Sequence, residues 1–161
     1  MSEEAIGTTR IESMQECDID EVLLIEAASR QTSWSKQSFV GEMKNPFSFC
    51  FILKERNDPR DRTLGFICFR VLGKESELVN FGVHRLHRRK GRGRELMRFY
   101  IDFCRKRGVE TFYLETGISN RAAIKLYQSL GYDFKGSRSG FYGGREDALL
   151  MVRKASCEKR P

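Results

Sequence analysis

Val83-His84-Arg85-Leu86-His87-Arg88-Arg89-Lys90-Gly91-Arg92-Gly93-Arg94 carries six bases, two glycines and no acid in twelve residues. Before it, Glu77 to Val83 is a β-rich run. After it, Leu96, Met97, Phe99, Tyr100, Phe103 and Cys104 recur at helical spacing up to Gly108. The segment is therefore a strand-to-helix junction. Such a junction presents unpaired backbone N–H groups and the positive end of a helix dipole, and so suits phosphate. Gly91 and Gly93 let the backbone approach an anion with no Cβ in the way, and the flanking bases add charge. A solvated basic loop, or a patch contacting RNA, fits the composition equally well. A Walker A loop is excluded, because the one lysine of the segment precedes its glycine, and GxGxxG is absent.

Outward from this junction the period of the pattern changes several times. Thr9 to Met14 can form a short strand. Asp18 or Asp20 can cap a helix with Val22, Leu23, Ile25 and Ala28 on one stripe. A break at Thr32-Ser33-Trp34-Ser35 follows, and Ser35 caps a second helix that stops at Asn45-Pro46. Phe47 to Leu53, Leu64 to Leu72 and Glu77 to Val83 read as a three-strand meander, and Glu110 to Thr116 as another strand. Ser119 or Asn120 opens a helix closed by Gly131, and Tyr132 to Ser137 and Asp147 to Val152 are two last strands around Gly140, Gly143 and Gly144. The order β-α-α-β-β-β-α-β-α-β-β describes an α/β domain with a mixed sheet.

The six bases of the junction account for most of the charge. The chain has 161 residues, with 29 Lys plus Arg against 22 Asp plus Glu, a formal net charge of +7. Outside the junction 23 bases face 22 acids, which rules out a uniformly basic coat. With 40% hydrophobic residues the chain is too apolar to be disordered throughout, and its length suits one core. One domain over residues 9–154 is expected, with polar ends at 1–8 and 155–161 that fray. No apolar run approaches the roughly 18 residues of a membrane helix. The acidic opening Met1-Ser2-Glu3-Glu4 is unlike a secretory signal, so a cytoplasmic protein with no membrane partner is expected. Five cysteines (Cys17, Cys50, Cys68, Cys104, Cys157) lack CxxC or Cys/His ligand spacing and read as free thiols, without structural zinc.

Arg88-Arg89-Lys90-Gly91-Arg92-Gly93 fits the (Q/R)xxGx(G/A) signature, and the chain thereby resembles the GNAT acyltransferase superfamily. Further matches run in the family's order from about Ile11 to Lys154. They are Trp34-Ser35 with Phe39, Asn80-Phe81-Gly82-Val83, Leu114-Glu115 with Ser119-Asn120, and Ala123-Ile124 with Leu126-Tyr127. Leu130-Gly131-Tyr132 and Gly144-Arg145-Glu146-Asp147-Ala148 through Met151 complete the set. Together they are similar to the RimI-type ribosomal-protein alanine N-acetyltransferases. The resemblance implies a mostly antiparallel mixed sheet, flanked by helices, in which one parallel strand pair splays apart. It also implies acetyl-CoA as acetyl donor, with no metal and no covalent enzyme intermediate. The acceptor would be a protein N-terminus, an alanine of a small-subunit ribosomal protein, attacking directly in a ternary complex. No direct contact with nucleic acid is expected.

Carried onto this sequence, the resemblance lays the pantetheine arm along Phe81, Gly82 and Val83. The diphosphate falls on the backbone of Arg89, Lys90, Gly91, Arg92, Gly93 and Arg94, with Arg88 among the flanking cations, and Asn120 contacts coenzyme A. Glu115 takes the general base position. An α-amine ionises near ~7.7–8.0, so its deprotonation at neutral pH costs little. Tyr127 takes the position of the proton donor to the departing thiolate. Unperturbed values near ~10 for tyrosine and ~8.5 for a thiol make full transfer uphill by roughly 2 kcal/mol. By their residue types alone, Glu115 reads as a strand-end ion pair and Tyr127 as an amphipathic core tyrosine. Asn120, Ile124 and Tyr127 stand at i, i+4 and i+7, which puts them on one helix face. Trp34 and Tyr142 are the candidates to line the acceptor groove. The family's Glu-Val-Arg-Ala-Ser-Asn run reads Glu115-Thr116-Gly117-Ile118-Ser119-Asn120 here, so its arginine is replaced by Gly117, and Phe141-Tyr142 stands where two tyrosines are common. A lysine, a polyamine or another small amine is the alternative acceptor, and a nucleic-acid or ribosome-binding module using residues 84–94 is the alternative of another class.

Overall fold

The computed structural model describes residues 8–27, 34–57, 60–142 and 146–155, with 141 and 142 described by their backbone alone. Met1, Ser2, Glu3, Glu4, Ala28, Thr32, Ser33, Gly143, Gly144, Arg145 and Cys157, named above, lie outside these residues. The elements are β1 (Thr9–Ser13), α1 (Ile19–Ala27), α2 (Lys36–Lys44), β2 (Ser48–Glu55), β3 (Arg62–Leu72) and β4 (Glu75–Val83), then α3 (Arg92–Arg105), β5 (Thr111–Gly117), α4 (Arg121–Ser129), β6 (Asp133–Tyr142) and β7 (Glu146–Lys154). They follow the expected order.

One sheet runs β1-β2-β3-β4-β5-β7-β6. Only β4 and β5 pair in parallel; the other neighbours are antiparallel. The central strand β3 is buried from Thr63 to Phe69 with no alternation, because both of its faces are covered. On one face Phe66 and Cys68 meet Ile19, Val22 and Ile25 of α1 and Phe39 of α2. On the other, Ile67 and Phe69 meet Leu96, Met97, Tyr100 and Cys104 of α3, in a core that extends to Tyr127, Tyr132 and Met151. Burying each such large apolar side chain contributes about 1.5–3 kcal/mol.

Local signals explain the helix ends. Ser35 Oγ accepts the Ser38 N–H (3.1 Å), and Ser38 Oγ accepts the Ser35 N–H (3.2 Å), so α2 opens with a reciprocal cap. Helix α3 stops where Gly108 turns left-handed (φ 82°). The start of α1 departs from expectation. Neither Asp18 nor Asp20 is its N-cap: a 3-10 turn over Glu16–Asp18 leads into the helix. From the last residue of that turn the Asp18 carboxylate reaches back to accept the Gln15 N–H (2.8 Å), and it pairs with Lys54 Nζ (3.0 Å) from β2. At the other end, Ala155, expected to begin the tail, still donates its N–H to Glu110 O (2.7 Å).

The feature that shapes the site is a mismatch between β4 and its two neighbours. Against β3, Cys68 faces Asn80 but Phe69 faces Leu78, so Val79 is an extra, bulged residue. Against β5, parallel pairing covers only Glu75–Thr111, Ser76–Phe112 and Glu77–Tyr113. Beyond the bulge the two strands part, and β5 continues on β7 alone. Gly82 pairs with Phe66, and the His84 N–H donates to Leu64 O (2.7 Å), so by the alternation of an antiparallel ladder the backbone groups of Phe81 and Val83 face the opening. Four described cysteines (Cys17, Cys50, Cys68, Cys104) are free thiols, and burial pushes Cys104 up to about 11.

Candidate active site

The loop after β4 is held by its own side chains. His84 Nδ1 accepts the Leu86 N–H (3.1 Å) and caps a 3-10 turn over Arg85–His87. The His84 and His87 rings meet edge to face at 5.3 Å, and burial together with His84 holds His87 below the ordinary histidine value. Arg89 (φ 62°) and Gly91 (φ 77°) then take left-handed backbone, and α3 begins at Arg92. Its first intrahelical bond runs from Glu95 N–H to Gly91 O (3.0 Å), so the N–H groups of Arg92, Gly93 and Arg94 precede it. These are the N–H groups that the sequence reading offers to an anion.

The two glycines do different jobs there. Gly91 supplies the left-handed turn, with open space around it. At Gly93 a Cβ would come within 3.3 Å of both Phe81 Cζ and Leu126 Cδ2, so its bare backbone lets α3 seat against β4 and α4. The bases also divide. Arg85, Arg88, Arg89 and Lys90 are exposed, whereas Arg92 turns inward to Glu95 (3.3 Å) and Glu55 (3.9 Å). The Arg92 guanidinium is thus engaged by carboxylates of β2 and of its own helix. Arg88 Nε donates to Val83 O (3.1 Å), and the Phe81 N–H donates to Asn80 Oδ1 (2.9 Å). Two backbone groups of the parted strand are therefore engaged by neighbouring side chains.

Tyr127 lies at that opening. It is buried on α4, with its ring 6.5 Å from Phe81 and 5.9 Å from Tyr132. Burial pushes Tyr132 and Tyr100 well above the ordinary tyrosine range, and the Tyr100 hydroxyl bonds Ser76 Oγ (2.8 Å) in the core. Asn120, one of the two residues expected to open this helix, is the N-cap of α4: its Oδ1 accepts the Ala123 N–H (3.3 Å) and its backbone O the Ile124 N–H (3.0 Å).

Across the opening, Glu115 follows the last parallel pair by two residues and sits half-buried. Arg138 Nη2 of β6 donates to its Oε1 (2.6 Å) and Oε2 (2.7 Å). An ion pair was one of the two roles its type allowed, and nothing in the sequence pattern pointed to Arg138 as the partner. Gly117 is explained by Glu146, whose carboxylate oxygens lie 2.8–2.9 Å from where a Cβ would stand. That carboxylate accepts the Ser119 N–H (2.5 Å), and its hydrogen bonds from Ser119 hold it below the usual carboxylate range. Trp34 packs its ring on Phe39 (5.0 Å) and donates its backbone N–H to Glu26 Oε1 (3.2 Å). Glu26, 3% exposed, also accepts Asn80 Nδ2 (3.0 Å), and so ties the Trp34 segment to the bulge of β4. Sequence reasoning missed Glu26 as well; a carboxylate on the apolar side of α1 was the only signal. Tyr142 pairs through its backbone with Glu146, and its side chain lies outside what the structure describes.

A parallel pair that parts at a bulge, a left-handed glycine opening the next helix, and a carboxylate and a tyrosine near the gap thus stand together at one end of the sheet. Residues 10–132 match the Acetyltransferase (GNAT) family, and the chain belongs to that family of acetyltransferases. It is 33% identical over 145 residues to the [ribosomal protein bS18]-alanine N-acetyltransferase of Escherichia coli K12, covering 88% of this chain and 95% of that one. The crystal structure of the ribosomal-protein-S18-alanine N-acetyltransferase from Escherichia coli superimposes with a TM-score of 0.80 at 32% identity, over 91% of this chain and 94% of the other. In fold alone the chain also matches a NatC complex bound to Gag peptide and CoA, with a TM-score of 0.77 at 16% identity over 91% and 98% of the two chains. Among the described residues no helix is long and apolar enough to cross a membrane.

Proposed function

We propose that this protein transfers acetyl from acetyl-CoA to the α-amine of a protein N-terminus, an alanine of a ribosomal protein, in a ternary complex in the cytoplasm. The observation that carries this is the opening past Glu77 and Tyr113, with Phe81 and Tyr127 on one wall and Glu115 on the other. The residues present fit the donor. Phe81 and Val83 turn backbone groups to the opening, where an added strand would replace the Asn80 and Arg88 side chains on the Phe81 N–H and Val83 O, and Arg92, Gly93 and Arg94 offer N–H groups to a diphosphate.

When bound, acetyl-CoA supplies the thioester. Phe81 to Val83 align the extended arm, while Gly91 and the start of α3 anchor the phosphates. Glu115 accepts the proton that the acceptor amine gives up, and Tyr127 Oη donates a proton to the departing sulfur. Trp34, held by Glu26, and Tyr142 border the acceptor path.

Mass spectrometry of an alanine-initiated peptide incubated with labelled acetyl-CoA tests this. Acetyl on the N-terminal nitrogen is expected, with lysine side chains and polyamines modified far more slowly. Glu115→Gln and Tyr127→Phe should each lower the rate by about a hundredfold or more. Full rates in both variants would overturn the mechanism. Tight, salt-sensitive RNA binding without acetyl-CoA binding would return the loop to a nucleic-acid role.

A further inference from the structure

We propose that Cys50 and Cys68 form an oxidative modification site: a thiol pair that a peroxide closes to a disulfide and a reducing thiol reopens. Cys50 of β2 lies directly opposite Cys68 of β3. The Val71 N–H donates to Phe47 O (2.9 Å), so in this register Phe47–Val71, Phe49–Phe69 and Phe51–Ile67 are the hydrogen-bonded pairs, and Cys50–Cys68 falls between two of them. The Cys50 carbonyl accordingly turns the other way and accepts the Met14 N–H (2.9 Å). In such a non-hydrogen-bonded pair the Cα atoms stand about 4.5 Å apart and the side chains are at their closest. A disulfide spans Cα separations of roughly 4.4–6.8 Å, so this register permits the bond. The Cβ atoms, about 4.5–5.5 Å apart in such pairs, must draw in to about 3.5–4.5 Å. The bond therefore forms under strain, and a strained disulfide is readily reduced.

Both side chains lie on the face that α1 and α2 cover, in the cluster with Phe39 and Phe66. They differ in access. Cys50 is partly exposed and Cys68 is buried. Burial, and then its hydrogen bond with Cys50, push the Cys68 thiol well above its ordinary value, so Cys68 keeps its proton while Cys50 meets the oxidant. With hydrogen peroxide as oxidant the steps balance. The Cys50 sulfur attacks one peroxide oxygen, the O–O bond breaks, and Cys50 becomes a sulfenic acid as water departs. The Cys68 sulfur then attacks the Cys50 sulfur. The S–O bond breaks, the hydroxide leaves with the Cys68 proton as a second water, and the S–S bond forms. Both thiols are oxidised and the peroxide is reduced. Neither of the other two described thiols is placed for this: Cys104 lies in the core on the opposite face, against Ser76 Oγ (3.6 Å), and Cys17 is exposed on the turn before α1.

The test treats the folded wild-type protein with hydrogen peroxide, blocks the remaining thiols, and maps tryptic peptides by mass spectrometry. Trypsin releases Cys50 within residues 45–54 and Cys68 within residues 63–70, each without a second cysteine. The two peptides should appear joined, lighter by two hydrogens than their sum, and should separate when dithiothreitol precedes digestion. In Cys68→Ala, Cys50 should stop at the sulfenic acid and be captured by dimedone. The wild-type map needs no substitution, so poor folding of that variant leaves the test intact. Peptides that stay separate overturn the proposal, whether Cys50 remains a thiol or passes to the sulfinic acid. A bond from either residue to Cys17, Cys104 or Cys157 overturns it as well. So does a Cys50–Cys68 bond that forms only in urea, because the fold would then not be what brings the thiols together.

Discussion

The two walls of the opening are built from different materials. The wall proposed to hold the donor, from Phe81 through Gly91 to the start of α3, is made of backbone: strand groups facing a gap, a left-handed glycine and the first N–H groups of a helix. The wall proposed to face the acceptor, at the ends of β5, β6 and β7, is made of side-chain charge: Arg138 on Glu115, and Glu146 over Gly117 and on Ser119. Backbone geometry cannot be exchanged residue by residue, so a wall that must hold an invariant cofactor is well served by it. Charged side chains at 26% and 60% exposure move and mutate at little cost to the fold, which suits a wall that selects among acceptors. The departures from the family pattern, Gly117 and Phe141-Tyr142, fall on that second wall.

If the walls are separate, substitutions should affect one substrate and spare the other. The largest effect in this set is expected from Gly91→Val. A β-branched residue at φ 77° costs about 1–2 kcal/mol or more, so acetyl-CoA affinity should fall roughly tenfold in calorimetry, with peptide KM at saturating donor unchanged. Unchanged donor affinity would mean that this loop does not hold the diphosphate. Smaller, and on the opposite wall, Gly117→Ala places a Cβ against the Glu146 carboxylate and pushes it off the Ser119 N–H. Peptide KM should rise about threefold, in line with a weakened hydrogen bond, at constant acetyl-CoA affinity. An equal loss of donor affinity would break the division.

The smallest effect concerns the scaffold beneath both walls. Glu42 of α2 accepts Arg70 Nε and Nη2 of β3, both at 2.7 Å, and these bonds hold its carboxyl below the ordinary value. A depressed carboxyl contributes stability that is present above its unfolded value, near ~4.5, and is lost as pH falls through the lowered folded value. Glu42→Gln should therefore be less stable than the wild type at pH 6 by about 1 kcal/mol, a shift of roughly 2–4 °C in Tm, and the gap should close on acidification. A gap that stays constant down to pH 3 would show that the pair contributes nothing through its charge.

The donor wall was legible because its signals are local. A base-rich junction between a strand pattern and a helical stripe, with glycine at the turn, needs no knowledge of what lies across the sheet. Even so, Gly93 reads as anion access in the sequence and acts as packing space in the fold, because Phe81 and Leu126 arrive there from β4 and α4. Arg92 reads as one more phosphate cation and is spent on Glu55 and Glu95, since β2 lies beside the start of α3. Asn120 was correctly seen at a helix start, and its capping bond to Ala123 follows from that position.

Local chemistry written in consecutive residues thus determined the element order, the cap of α2, the start of α4 to within Ser119 or Asn120, the end of α3 at Gly108 and the glycine turn that opens α3. Tertiary structure alone decided where β4 leaves β5, that β7 lies between β5 and β6, and hence which arginine meets Glu115. The physical reason is register. A single bulged residue, Val79, or a strand inserted out of order changes which side chains share a face, and those pairings join residues 23 positions apart, as in Glu115 and Arg138, or 54 apart, as in Glu26 and Asn80.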